Sequence, residues 1–130
     1  MTTHPSDGGG ATLGAVVGAL RLGVGIGMIA MPGPVLRAGS GTEPSGEMVL
    51  LTRTIGVRDL VLGAGTLWGW RADDPASARR WVTAGMCSDV LDVVIGAVSV
   101  RSVGRRGALI AALAPVPFIA LDVVAFRQMS

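Results

Sequence analysis

"MVLLTRTIGVRDLVLGAGTLWGW", residues 48–70, decides the fold. The run is too long for a strand and too rich in glycine for a helix that lives in water. Its length suits a membrane crossing, for which about 20 apolar residues cover ~30 Å of hydrocarbon. Yet it carries Arg53, Arg58 and Asp59, the last two side by side in the middle. A central charge costs about 2.5–3.5 kcal/mol to insert, so this span needs partners that compensate its charges. The rest of the chain must supply them.

Three further apolar segments surround it. Together the four spans fall at about 11–31, 48–70, 80–100 and 107–126. Residues 1–10 form a polar, glycine-rich N-terminal tail, and residues 127–130 a short C-terminal one. The tail lacks a basic n-region and Arg21 interrupts the apolar run after it, so a cleaved signal peptide is not expected. The first connection, "PGPVLRAGSGTEPSGE", reads as a loop from its Pro, Gly and Ser content. In the second, "RADDPASARR", Asp74 offers an N-cap and Pro75 a first helical residue. The third, "RSVGRRG", reads as a tight basic turn. Short connections make successive helices antiparallel neighbours. The expected fold is all-α, a four-helix transmembrane bundle in one domain over residues 11–126.

Composition agrees. Of 130 residues, half are hydrophobic and 15% are charged, against roughly 25% charged in soluble domains. Mean hydropathy is +0.59. The eleven basic residues are all arginine, but they form no continuous face and lack interleaved aromatics, so no nucleic acid is expected as a partner. One cysteine, Cys87, and one histidine, His4, supply no disulfide framework, metal set or paired haem ligands. No cofactor and no metal are expected, and without a nucleophile–base pair the chain does not read as an enzyme. Trp68, Trp70 and Trp81 flank the second connection, as an aromatic belt at one membrane interface would. Four arginines at each end leave the orientation undecided, with both termini inside preferred because the longest, least basic loop then lies outside.

The candidate site is the set of ionisable residues within the spans: Arg21, Arg53, Arg58, Asp59, Asp89, Asp92 and Asp122. At 1.5 Å per residue, Arg21, Arg58, Asp59, Asp89 and Asp92 lie roughly 13–18 Å from the tryptophan-side interface, near the midplane. Asp122 lies only about 6 Å in and Arg53 about 25 Å in. Residues at such depth face the protein interior and pair. Adjacent helical positions point about 100° apart, so Arg58 should face Asp89 and Asp92 while Asp59 faces Arg21. Gly14, Gly18, Arg21 and Gly25 share a face of the first helix, and Gly85, Asp89, Asp92 and Gly96 repeat the offsets on the third. Such glycine seams let helices approach closely. Gly65 and Gly69 are then left for contact with a second copy. Asp89 and Asp92, three apart on one face, are expected to share a proton. Pro115 and Pro117 should kink the fourth helix.

"RTIGVRDLVLG" followed by "RRWVTAGMCSDVLDVVIG" resembles a group of small bacterial four-span integral membrane proteins of unassigned activity. The pattern rests on Arg53, Gly56, Arg58, Asp59, Leu62, Gly63, Asp89 and Asp92, and the likeness extends over roughly residues 14–126. More distantly the chain is similar to DoxX-type four-helix bundles. The resemblance implies a fold and a shared polar core, and no activity. Two functions stay open: a proton-linked polar binding or translocation site, or a non-catalytic membrane scaffold or accessory subunit whose charges are purely structural. In either case the expected setting is the lipid bilayer of the cytoplasmic membrane, crossed several times, with a homo-oligomer or a membrane protein as partner.

Overall fold

Ser45 starts the central helix: its hydroxyl accepts a hydrogen bond from the Met48 amide, an N-cap that satisfies one of the free first-turn donors. The structure is a computed structural model and describes residues 8–40, 43–99, 101, 109 and 113–128. Among them five α-helices occur and no strand: α1 Gly8–Ala30, α2 Pro32–Ser40, α3 Gly46–Arg71, α4 Pro75–Val98 and α5 Val116–Gln128. The basic turn expected at residues 101–107 and the start of the span expected at 107–126 lie almost wholly outside the described residues.

Three boundaries differ from expectation. Helix α1 begins at Gly8, inside the segment read as a polar tail. The first connection is not all loop, because residues 32–40 form α2. Its two prolines stand in the first turn, where a missing N–H removes no hydrogen bond and the fixed φ is already helical. Leu113 is helical, Ala114 and Pro115 form a turn, and α5 begins at Val116 with Pro117 as its second residue, so the expected fourth helix is interrupted at its prolines. Helix α4 begins at Pro75, as the Asp74-Pro75 pair foretold, and the Asp74 carboxylate accepts from the Ser77 amide at 2.9 Å.

The turn between α3 and α4 is built by two interlocked caps. The Asp74 amide donates to the Gly69 carbonyl and the Asp73 amide to the Trp70 carbonyl, the pair of bonds that closes a Schellman C-cap. That cap places Asp73 at φ 49°, a left-handed conformation usually left to glycine and, among other residues, taken most readily by Asn and Asp. Three residues, 72–74, suffice to reverse the chain, which fixes α3 and α4 as antiparallel neighbours.

Helix α1 packs against α3 and α5, and α4 packs against the same two, so four helices close a ring of contacts. The glycines set the spacing. A Cβ added at Gly25 would stand 2.6 Å from the Gly56 carbonyl oxygen, and one at Gly63 would stand 2.6 Å from the Gly18 carbonyl oxygen. Because Gly18 meets Gly63 and Gly25 meets Gly56, α1 and α3 run antiparallel with backbones in direct contact. Gly69 packs on the backbone of Ala78, and Gly65 lies under the Trp81 ring. This corrects two expectations. Gly65 and Gly69 are occupied within the molecule and are not available to a second copy. Trp81 covers a helix seam, whereas Trp68 is 75% exposed and Trp70 is also exposed, as belt residues would be.

The apolar core is small, centred on Val17, Val82 and Ala125 with Leu13, Leu121 and Phe126 packed around it. Outside, large aliphatic side chains such as Leu50, Leu51, Val57, Val94, Ile95 and Val98 are exposed. A charged cluster is thus buried beside the small apolar core, while many large aliphatic residues lie outside. Two helices, α1 over Thr12–Ala30 and α4 over Pro75–Val98, are long and apolar enough to cross a membrane.

Candidate functional site

The buried surface of α3 is set by spacing. Thr52, Gly56, Asp59, Leu62, Gly63, Thr66 and Gly69 recur at three and four residues and form one inward stripe. Asp59 lies on it, between the two glycines that bring α1 close. Arg58 is one position back, about 100° around the helix, and turns toward α4. The hydroxyls of Thr52 and Thr66 bond to the carbonyls four residues earlier, which lets them be buried in the stripe at no hydrogen-bonding cost.

Arg21 of α1 occupies the centre of the ring, with 1% of its surface exposed. It meets an acid from each of the other three helices. Its Nη1 lies 3.3 Å from Asp59 Oδ1, and its Nη2 lies 2.6 Å from Asp122 Oδ2 and also bonds to Asp89 Oδ2. The absence of a side chain at Gly85 makes room for it: a Cβ there would touch the guanidinium at 3.0 Å. The Phe118 ring lies against the other side, with its centroid 4.8 Å from Arg21 Cζ, a cation–π contact.

Arg58 extends the network laterally. Its Nη1 bonds to Asp92 Oδ2, while its Nη2 lies 3.2 Å from Asp59 Oδ1 and 3.7 Å from Asp89 Oδ1. Acids and guanidinia therefore alternate in a connected series: Asp122, Arg21, then Asp59 and Asp89 together, Arg58, and Asp92. The series is graded in exposure. Asp122 is fully buried, whereas the side chains of Arg58 and Asp92 are 28% and 30% exposed. At the buried end, Asp122 Oδ1 has no hydrogen-bond partner, and Arg58 Nε has none in the middle.

The seven candidate residues do not all meet. Arg58 reaches Asp92 and Asp89, and Asp59 reaches Arg21, the partnerships expected from depth and sign. Asp122 joins the same layer instead of lying nearer one end. Counting along the chain placed it too shallow because it ignored the reach of the arginine side chain and ended the helix early; α5 continues to Gln128. Arg53 is outside the network: it is exposed, and its Nε donates to the Ile29 carbonyl at 3.3 Å. That carbonyl lies in the last turn of α1, where a cation is favoured. Asp89 and Asp92, expected to act as a pair, bind different guanidinia: Asp92 bonds to Arg58, whereas Asp89 converges with Asp122 on Arg21 Nη2.

Comparison with protein-family models, curated proteins and solved structures gives no match to this chain. The site must be read on its own chemistry. Two guanidinium charges face four carboxylates, a formal balance of −2; Arg21, Asp59, Asp89 and Asp122 are buried, while Arg58 and Asp92 are partly exposed. Among the described residues no group of histidine, cysteine and acidic side chains could hold a metal ion. Cys87 is exposed on α4 and is not part of the network. Sequence reasoning missed Phe118 as the ring on Arg21, although its position one turn before Asp122 was a signal.

Proposed function

We propose that the chain is a four-span integral membrane protein of the cytoplasmic membrane, and that its Arg/Asp network is a proton-linked polar site. The distribution of side chains supports the membrane setting, with many large aliphatic residues outside and a charged cluster buried. Helix α3 joins the spans despite its charges because Arg58 and Asp59 are compensated by other helices, and α5 supplies part of the fourth.

One observation carries the proton reading: four carboxylates share two guanidinia. Charges left over in a low-dielectric layer are removed by protonation more cheaply than they are solvated. The exposure gradient gives such a proton a route, from Asp92 beside Arg58, through Asp59 and Asp89, to Asp122 at the end. Arg21, Asp89, Asp59 and Asp122 belong to four different helices, so a proton on Asp122 weakens the tie between α5 and α1. Proton occupancy is thereby coupled to helix packing, as a translocation or ligand-gating step requires. No catalytic role is assigned to any of these residues.

A structural reading competes on a specific observation: both guanidinia are engaged by acids and the glycine seams bring backbones into contact, as a static core would have it. Reconstitution in liposomes loaded with a pH-sensitive dye separates the two. With an imposed pH gradient, the protein should pass protons faster than empty liposomes, and both Asp122→Asn and Asp92→Asn should abolish the excess. Flux equal to that of empty liposomes would favour the structural reading. Release of the native protein from membranes by alkaline carbonate would refute the membrane setting itself.

A further inference from the structure

A cavity of about 550 Å³ opens at the tryptophan end of the molecule, and no residue of the charge network lines it. It is lined by Pro75, Ala76, Arg79, Arg80, Thr83 and Phe126, between the start of α4 and the end of α5. Arg79 is held over the Phe126 ring, Cζ to centroid 4.2 Å, a stacking that fixes the guanidinium at the mouth. The Thr83 hydroxyl is already used, donating to the Arg79 carbonyl. Among the described residues neither Arg79 nor Arg80 has an acidic partner, which they share with Arg53, Arg71, Arg101 and Arg127; only these two of them line the cavity. Two guanidinia with uncommitted donors, against an apolar wall, favour an anion carrying an apolar tail.

We propose that this cavity binds the phosphate headgroup of an anionic phospholipid, with its acyl chains along the exposed aliphatic surface of α4. Three features converge on that occupant. The arginines lie within the first two turns of α4, about 6–8 Å from its start, the depth of a headgroup region. The exposed Trp68 and Trp70 mark the same end of the molecule as an interface. Guanidinium groups match phosphate oxygens in bidentate geometry. The inference rests on the membrane reading and is independent of the proton site.

The test uses the full chain in nanodiscs of phosphatidylcholine doped with phosphatidylglycerol, with lipid retained after gentle release counted by native mass spectrometry. At about fivefold per arginine, the preference for phosphatidylglycerol over phosphatidylcholine should fall about fivefold in Arg79→Gln or Arg80→Gln and about thirtyfold in the double variant, relative to wild type. Arg37→Gln, at the other end, should keep the wild-type ratio. Equal retention of the two lipids by wild type would overturn the proposal, as would an unchanged ratio in the double variant. Inorganic phosphate or glycerol phosphate that displaced the lipid completely at equal concentration would reassign the cavity to a soluble anion. Failure to enter nanodiscs at all would instead refute the membrane reading.

Discussion

Replacing Arg21 by methionine removes the one cation that touches three helices while keeping a flexible side chain of similar length in the core. Arg21 makes contacts to Asp59, Asp89 and Asp122. Polar contacts between membrane helices average about 0.6 kcal/mol and reach about 1.7, so three of them amount to roughly 2–5 kcal/mol. The loss is unevenly distributed. Asp59 and Asp89 keep Arg58, at 3.2 and 3.7 Å, but no other cation reaches Asp122 among the described residues. An orphaned buried carboxylate can neutralise itself by taking up a proton, which limits the penalty. Adding Asp122→Asn removes the orphaned charge and should restore about 1 kcal/mol or more of it. Unfolding can be followed in mixed micelles by tryptophan fluorescence, because Trp81 is seated on Gly65 and leaves that seat when α3 and α4 separate. A loss below about 0.5 kcal/mol in Arg21→Met, or a double variant no more stable than the single, would refute the central place given to Arg21.

Arg58→Met should cost less, about 1–2 kcal/mol, because Arg58 and Asp92 are partly exposed, and Asp92→Asn should recover part of that in the same unfolding assay. Gly25→Ala should destabilise by about 1–3 kcal/mol, since the new methyl meets the backbone of α3. Gly23→Ala, where nothing lies within 4 Å, should be neutral or stabilising by up to ~1 kcal/mol. Asp73→Gly relieves the left-handed residue of the α3–α4 turn and should raise stability by about 0.5 kcal/mol, the gain being offset by greater freedom of the unfolded chain.

The helices were legible where composition and local chemistry agree. The apolar runs located α1, α3 and α4, and Asp74-Pro75 marked the start of α4 to the residue. Proline and glycine misled at residues 32–40, because their effect depends on position: a proline that breaks the middle of a helix is neutral in its first turn. At Pro115 and Pro117 the expected disturbance of the fourth helix takes the form of a turn at residues 114–115. In the site, sign and angular position sufficed for Arg58 and Asp59. Arg53 was separable on the same grounds, since five residues put it about 140° from Arg58, away from the inward stripe. Asp122 was misplaced because depth counted along a helix axis says nothing of how far a partner's side chain extends. The layer consequently holds four aspartates and two arginines, where depth along the chain had placed only three aspartates in it.

That charge balance is the centre of the account. Infrared difference spectroscopy of the protein in lipid, recorded between pH 5 and pH 9 in light and heavy water, observes it directly. A carboxylic acid held in the network gives a C=O band that shifts on deuteration and disappears as the proton leaves. The account predicts such a band in the wild type, and its loss or displacement in Asp122→Asn and Asp89→Asn but not in Asp73→Asn. A spectrum without any titrating carboxylic acid band, with all four aspartates ionised throughout that range, would contradict it.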